Sequence, residues 1–295
     1  MSKIGMIGLG RMGFGMAKRL HQNGKEVVGW NRSKEKVDAL KAEGVAVAYE
    51  IDELLSKLDD RKVVWLMLPA GQITDDMITQ LLPKLKENDI IINGANSFYK
   101  NAERQSALCK EKGIVFFDCG VSGGVWGLEN GYTLMAGGPK EHFAHIEPFC
   151  KALAPEKGYG LFGEAGKGFY VKSVHNIVEY VYLQGLAEGV ELLAKRDIDL
   201  AKATQVWGPA SVVKSWLLDL TNKAVNRDDF NQIAPKIGSV TIDELRHTKE
   251  AVNGYAPAFD ISTQIREDQT EKFTLGKRTI AAVRNEFGGH AVEKE

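Results

Sequence analysis

The stretch Lys3-Ile4-Gly5-Met6-Ile7-Gly8-Leu9-Gly10-Arg11-Met12-Gly13 decides how this chain is read. A short apolar run ends in three glycines spaced GxGxxG, and residues 14–23 continue with amphipathic helical spacing. Strand, glycine-rich turn and helix in that order hold a dinucleotide pyrophosphate. One glycine permits the tight turn, one lets the backbone approach the phosphates and one lets helix and strand pack closely, while the helix N-terminus attracts the negative charge. Gly8, Leu9, Gly10, Arg11, Met12 and Gly13 are therefore expected to cradle a dinucleotide.

Outward from that motif the alternation persists. Aliphatic runs at 26–30, 62–68, 90–93 and 114–118, with a further candidate at 133–137, are separated by polar, helix-compatible sequence. This is the pattern of βαβ units. It predicts an α/β Rossmann domain, a doubly wound and mainly parallel sheet, over residues 1–163. After Gly168 the spacing turns helical. One long helix is expected over 169–193, then helices at 206–224, 242–253, 257–270 and 275–287, so residues 164–295 read as an all-α domain. Val178, Val181, Leu183, Leu186, Val190, Leu192 and Leu193 surround the long helix, as in a helix buried among others or at a subunit contact.

Composition excludes several classes. The chain's 295 residues carry 38 basic and 39 acidic side chains, which offers nucleic acid no basic field. The apolar segment at 4–9 is too short for a membrane span and lacks a signal-peptide cleavage pattern. Cys109, Cys119 and Cys150 have neither metal-type spacing nor a complete disulfide set, so idle thiols in a cytoplasmic protein are expected, and no metal.

The end of the second strand discriminates between cofactors. A carboxylate there would bind the adenosine 2′-hydroxyl, whereas this chain has Asn31-Arg32-Ser33. An arginine beside two small hydrogen-bonding side chains suits a 2′-phosphate, which favours NADP; NAD stays open if Arg32 only stacks on adenine. Leu68, Pro69 and Ala70, after a strand end, and Asn96 complete the expected cofactor contacts.

Three further segments accompany the glycine motif: Asp118-Cys119-Gly120-Val121-Ser122-Gly123-Gly124, Gly163-Glu164-Ala165-Gly166-Lys167-Gly168, and Lys172 with Asn176. Together they resemble the signature segments of the β-hydroxyacid dehydrogenases. Asn96-Ser97-Phe98-Tyr99-Lys100, residues 122–131, Lys172-Ser173-Val174-His175-Asn176 with Glu179-Tyr180, and Phe287-Gly288-Gly289-His290-Ala291-Val292 are similar to the short-chain form of decarboxylating 6-phosphogluconate dehydrogenase. The likeness spans nearly the whole chain and is thin between about 205 and 270.

That resemblance implies roles. Lys172 would be the general base and then the cation that polarises a new ketone, and Glu179 would return a proton to carbon. Asn96, Ser122, Gly123, Gly124 and Asn176 would hold the substrate, with His175 in support and Tyr180 and Lys167 as further candidates. Arg284 and His290 would reach a neighbouring subunit's site and bind a substrate phosphate, in a homodimer or homotetramer acting on a small sugar acid.

Physical reasoning agrees about the helix. At ~100° per residue, Lys172, His175, Asn176 and Glu179 share an arc of about 100°, a polar face that must meet something polar. A lysine accepts a hydroxyl proton only if its pKa falls well below ~10.4, which partial burial promotes. A β-keto acid loses CO₂ readily once its ketone oxygen is stabilised, so the chemistry calls for no metal.

Some positions depart from the family pattern. Asn93 and Ala95 replace aspartate and glycine, Ile177 replaces a glycine, and residues 207–211 lack basic side chains. Gln264 falls where an arginine would bind the sugar phosphate, with Arg266 expected to point elsewhere. These departures keep two alternatives open: a β-hydroxyacid dehydrogenase or semialdehyde reductase that does not decarboxylate, and a dinucleotide-binding protein without turnover.

Overall fold

The computed structural model describes residues 3–238, 242–268 and 270–295. The chain divides into two compact units, residues 1–173 and 174–295.

The first unit is β1 (Lys3–Ile7), α1 (Arg11–Gln22), β2 (Glu26–Trp30), α2 (Lys34–Ala42), β3 (Ala46–Val47), α3 (Ile51–Ser56), β4 (Val63–Leu66), α4 (Gln72–Leu81), β5 (Ile90–Asn93), α5 (Tyr99–Lys110), β6 (Val115–Ser122), α6 (Gly127–Asn130), β7 (Thr133–Gly137), α7 (Glu147–Leu153) and β8 (Tyr159–Leu161). It closes with the start of α8 (Lys167–Ala194). The strands form one sheet in the order β3-β2-β1-β4-β5-β6-β7-β8. Every pair is parallel except β6 with β7. The chain winds outward from β1 in one direction and from β4 in the other, so the crevice for a ligand lies past the carboxyl ends of β1 and β4.

Strand residues alternate between two cores. Ile4, Met6, Trp65, Ile92 and Phe117 point toward α1 and α7, whose Met16, Leu20, Phe149 and Leu153 they meet. Ile7, Val64, Leu66, Ile91 and Phe116 point to the other face, with Leu54, Ile78, Ala102 and Phe169. A sheet covered on both sides needs apolar residues at every strand position, which is why these runs are continuous.

The expected strands are present, with β6 running four residues past 118 to deliver Ser122 and the glycines beyond it. Two strands were not anticipated: β3 and β8 are too short to carry an alternation signal.

In the second unit α8 continues, followed by α9 (Leu200–Val206), α10 (Trp216–Val225), α11 (Ile242–Glu250), α12 (Pro257–Glu267) and α13 (Thr274–Gly288). Of the helix expected over 257–270, residue 269 lies outside the described residues. Of the helix expected over 206–224, only the end forms, as α10; residue 206 is the last of α9 and 207–215 are not helical. Gly208-Pro209 follows the end of α9, and each of the two helices has its own cap: Asp199 Oδ1 accepts from the Lys202 N–H, and Ser215 Oγ from the Leu218 N–H. On α8, Leu183, Leu186 and Val190 are buried, whereas Val178 and Leu192 are 61% and 67% exposed. The three cysteines are buried and free. Among the described residues no helix is long and apolar enough to cross a membrane.

Candidate active site

The three motif glycines have different surroundings. A Cβ on Gly8, which sits at φ +99°, would lie 2.4 Å from the Met67 carbonyl oxygen, and one on Gly13 would lie 2.0 Å from that of Gly8. Those two let strand and helix close on each other. A Cβ on Gly10 would meet nothing within 4 Å. Gly10 is also the N-cap of α1, at φ −68°, with no side-chain cap and no acidic residue in the first turn. An open space facing uncapped helical N–H groups is what a pyrophosphate requires, so the residues present fit a dinucleotide.

Asn31 supports that turn, its Oδ1 accepting from the Leu9 N–H at 2.9 Å. Arg32 is exposed, and Ser33 Oγ donates to Glu35 at 2.5 Å. That hydrogen bond is the first cause holding the Glu35 carboxyl below its usual range. Leu68 is half-buried, and Pro69 and Ala70 are exposed at the start of α4, where Thr74 Oγ1 donates to the Pro69 carbonyl.

Asn96 is committed to the backbone on both sides. Its Nδ2 donates to the Val121 carbonyl at 3.0 Å and its Oδ1 accepts from the Val121 N–H at 2.8 Å, from a backbone at φ +52°. The amide keeps one N–H and one lone pair for a ligand. Its larger effect is to tie the β5–α5 turn to the end of β6, where Ser122, Gly123 and Gly124 follow, both glycines at positive φ. The departure at Asn93 is absorbed by its neighbours: Oδ1 accepts from the Ala95 N–H, Nδ2 donates to Gln105 Oε1, and Gln105 Nε2 donates to Asp75. An amide at 93 needs that extra acceptor, and Gln105 supplies it.

Sequence reasoning gave Asp118 no role. Its carboxylate is fully buried on β6 and accepts from the Gly166 N–H at 2.6 Å and the Phe169 N–H at 2.7 Å, so it caps the start of α8. Burial raises its pKa to about 6 against the pull of those N–H groups. Two residues along, Gly120 lets α8 lie close to the strand, because a Cβ there would be 2.5 Å from Lys172 Cβ. Lys172 is thereby held at 8% exposure by cap and strand together. The signal for Asp118 was its place at the end of an apolar strand; its partners, some fifty residues away, were invisible.

On the other side of the division, α8 carries His175, Asn176, Glu179 and Tyr180. His175 is exposed and its Nδ1 lies 3.1 Å from Asn176 Oδ1. Tyr180 is buried, with the Arg266 guanidinium 3.7 Å above its ring and Phe259 at 6.1 Å. Arg266 is 5% exposed, and among the described residues none of its Nε, Nη1 and Nη2 atoms has a hydrogen-bond partner. Burial holds this guanidinium below its usual pKa; the charge of Arg284 adds to that, while Tyr180 and Glu179 oppose it. Arg284 is buried too and is lowered by burial against the same two residues.

The burial pattern of α12 separates positions 264 and 266. Phe259, Ser262, Thr263 and Arg266 are the buried residues of α12, a helical stripe that turns Gln264 to solvent and Arg266 inward. Arg266, not position 264, is the internal arginine. Arg284 belongs to the buried stripe of α13, and the charges of Tyr180 and Glu179 of its own chain act on it. His290 is half-buried just beyond α13, its carbonyl accepting from Asn285 Nδ2 at 2.7 Å. Lys167 is exposed at the first position of α8.

Comparison with known proteins follows this geometry. A family profile described as the NAD binding domain of 6-phosphogluconate dehydrogenase matches residues 3–162. An NAD(+)-dependent decarboxylating 6-phosphogluconate dehydrogenase of Haloferax volcanii is 38% identical, over 99% of each chain. The structure of Plasmodium falciparum 6-phosphogluconate dehydrogenase, studied as apo form, with NADP⁺ and with 6-phosphogluconate, is 26% identical at a TM-score of 0.81, covering 90% of this chain and 61% of that one. A Mycobacterium tuberculosis 3-hydroxyisobutyrate dehydrogenase shares the fold, with a TM-score of 0.75 at 24% identity over 96% of this chain and 99% of that one.

Proposed function

The chain belongs to the 6-phosphogluconate dehydrogenase family, and from that premise we propose that it oxidises and decarboxylates 6-phosphogluconate, or a closely related phosphorylated sugar acid, with NADP preferred over NAD. The observation that carries the reading is the buried Arg266, stacked on Tyr180, near the charge of Arg284, with no hydrogen-bond partner among the described residues. Leaving a guanidinium buried and unmatched is costly, and a phosphate matches it with paired charge-assisted hydrogen bonds. Glu179 on the same side of the chemistry has no task in a simple dehydrogenase.

In this mechanism Ser122, Gly123, Gly124, Asn96 and Asn176 hold the carboxylate end and the hydroxyls, and Arg266, Arg284 and His290 grip the phosphate. Lys172 takes the proton from the β-hydroxyl. Bound NADP or NAD would supply the hydride acceptor, the hydride leaving the carbon that bears this hydroxyl as that carbon becomes a ketone. The Lys172 ammonium then donates to the ketone oxygen while the carbon–carbon bond to the carboxylate breaks, its electron pair passing into the enediol as CO₂ leaves. Glu179 protonates the carbon that lost the carboxylate. Asn31, Arg32 and Ser33 favour a 2′-phosphate, with the Ser33 hydroxyl exchanging Glu35 for that group. The exposed Val178 and Leu192 fit a helix covered in a homo-oligomer.

The test is a panel of sugar acids with NADP or NAD, following reduced cofactor and CO₂ together. Equal amounts of both from a phosphorylated acid are expected. Reduced cofactor without CO₂ would point to a non-decarboxylating enzyme, and neither product from any acid would overturn the reading.

A further inference from the structure

Beyond α13 the chain makes a turn whose parts are all fixed by one residue outside it. Arg227, in the loop after α10, donates from Nη1 to Asn285 Oδ1 at 2.7 Å and to Glu286 Oε1 at 3.0 Å. Asn285 Nδ2 in turn donates to the His290 carbonyl at 2.7 Å, and the Asn285 carbonyl accepts from the Gly289 N–H. The Arg227 guanidinium is itself clamped by Asp229, from Nε at 2.8 Å and Nη2 at 3.1 Å. Arg227 and Lys294 hold the Asp229 carboxyl far below its usual range, so this clamp stays charged at any working pH.

The turn itself is built for an imidazole. A Cβ on Gly288 would lie 2.5 Å from two atoms of the His290 ring, and Phe287 meets that ring edge-on at 6.2 Å. Gly289 adopts the left-handed conformation that lets the chain double back. The ring's location is thus set by the turn, and the turn by Asn285, whose amide oxygen is oriented by Arg227. The last residues are laid along the same loop: the Ala234 N–H donates to the Glu293 carbonyl and the Glu295 N–H to that of Gln232.

We propose that Arg227 is the positioning residue for His290, and through it a determinant of selectivity for phosphorylated over unphosphorylated acids. This rests on the function proposed above, in which His290 grips the substrate phosphate. Arg227 touches no substrate; it acts by fixing which way the Asn285 amide points, and so where the imidazole stands.

The experiment compares Arg227→Ala, Asn285→Asp and His290→Ala in the full chain. Asn285→Asp keeps the Oδ1 acceptor for Arg227 but has no Nδ2 donor for the His290 carbonyl, so it cuts one link while sparing the fold. Arg227→Ala and Asn285→Asp should each raise KM for 6-phosphogluconate about tenfold, the worth of roughly one good hydrogen bond, with kcat within about twofold. KM for gluconate should not move. In the His290→Ala background neither change should add more than about twofold. A gluconate KM that rises equally, or effects that multiply in the double variants, would mean that Arg227 serves the fold alone, and would overturn the proposal. Histidine-ring NMR of the full chain separates this from failure of the functional reading. The signal absent in His290→Ala should move toward the free-histidine position in Arg227→Ala whether or not 6-phosphogluconate is turned over; an unmoved signal rejects the positioning role, and a moved signal without turnover rejects the functional reading instead.

Discussion

The two units handle polar groups in opposite ways. In the sheet unit the buried Asp118 is matched by the Gly166 and Phe169 backbone, and the half-buried Asn96 and Asn31 by Val121 and Leu9. The helical unit instead buries a guanidinium that stacks on Tyr180 but finds no hydrogen-bond acceptor among the described residues. A matched carboxylate or amide fixes shape before any ligand arrives, whereas an unmatched cation stores a demand that a ligand anion satisfies. Under the proposed function, the first arrangement would position Lys172 and the second would favour a charged substrate.

The largest test of that contrast is Lys172→Ala. It should lower turnover by at least about a thousandfold, the range of a lost general base, while the cofactor dissociation constant changes less than about twofold. A comparable loss of cofactor affinity would make the lysine a structural member of the sheet unit. Equilibrium titration beside single-turnover kinetics distinguishes the two.

Asp118 gives the next largest effect, seen as pH dependence. Its folded pKa is raised from 3.8 to about 6, so between those values the native state binds more protons than the unfolded state. Stability attributable to Asp118 therefore falls as pH rises through that window, by up to roughly 3 kcal/mol. Denaturant melts from pH 4 to 7, as order-of-magnitude bounds of the window, should show this slope, and Asp118→Asn should flatten it. A slope surviving in Asp118→Asn would assign it to other groups.

Arg266→Met sharpens the comparison from the other side. Removing a buried unmatched charge should leave the melting temperature unchanged or higher, while KM for the phosphorylated substrate rises about thirtyfold. A large fall in stability would show that the guanidinium's stacking on Tyr180 holds the helical unit together, as the sheet unit's polar groups do.

The smallest effect separates the motif glycines. Gly10→Ala should fold normally, since its Cβ meets nothing within 4 Å among the described residues, and weaken cofactor binding about tenfold. Gly13→Ala, whose Cβ would strike the Gly8 carbonyl, should lose stability first.

Legibility followed the same division. Continuous apolar runs, glycine spacing and the polar arc of α8 rest on periodicities of two and 3.6, which sequence displays directly. They fixed the sheet, the cradle and the candidates Lys172, Asn176 and Glu179. The inward side of α12 was not legible, because its stripe of Phe259, Ser262 and Thr263 is too polar to announce itself. The start of α10 at 216 was likewise hidden, since Ser215 reads as a cap only once the helix start is known.

Sequence alone therefore determined element type, the dinucleotide turn and the residue kinds on the long helix, because each is a local property of spacing and backbone freedom. Only the tertiary structure decided that Asp118 caps that helix, that Gly120 makes room for Lys172, and that Arg266 stands unmatched over Tyr180. Those facts are long-range: they depend on which groups far apart in the chain are brought within hydrogen-bond reach, and no periodicity encodes that.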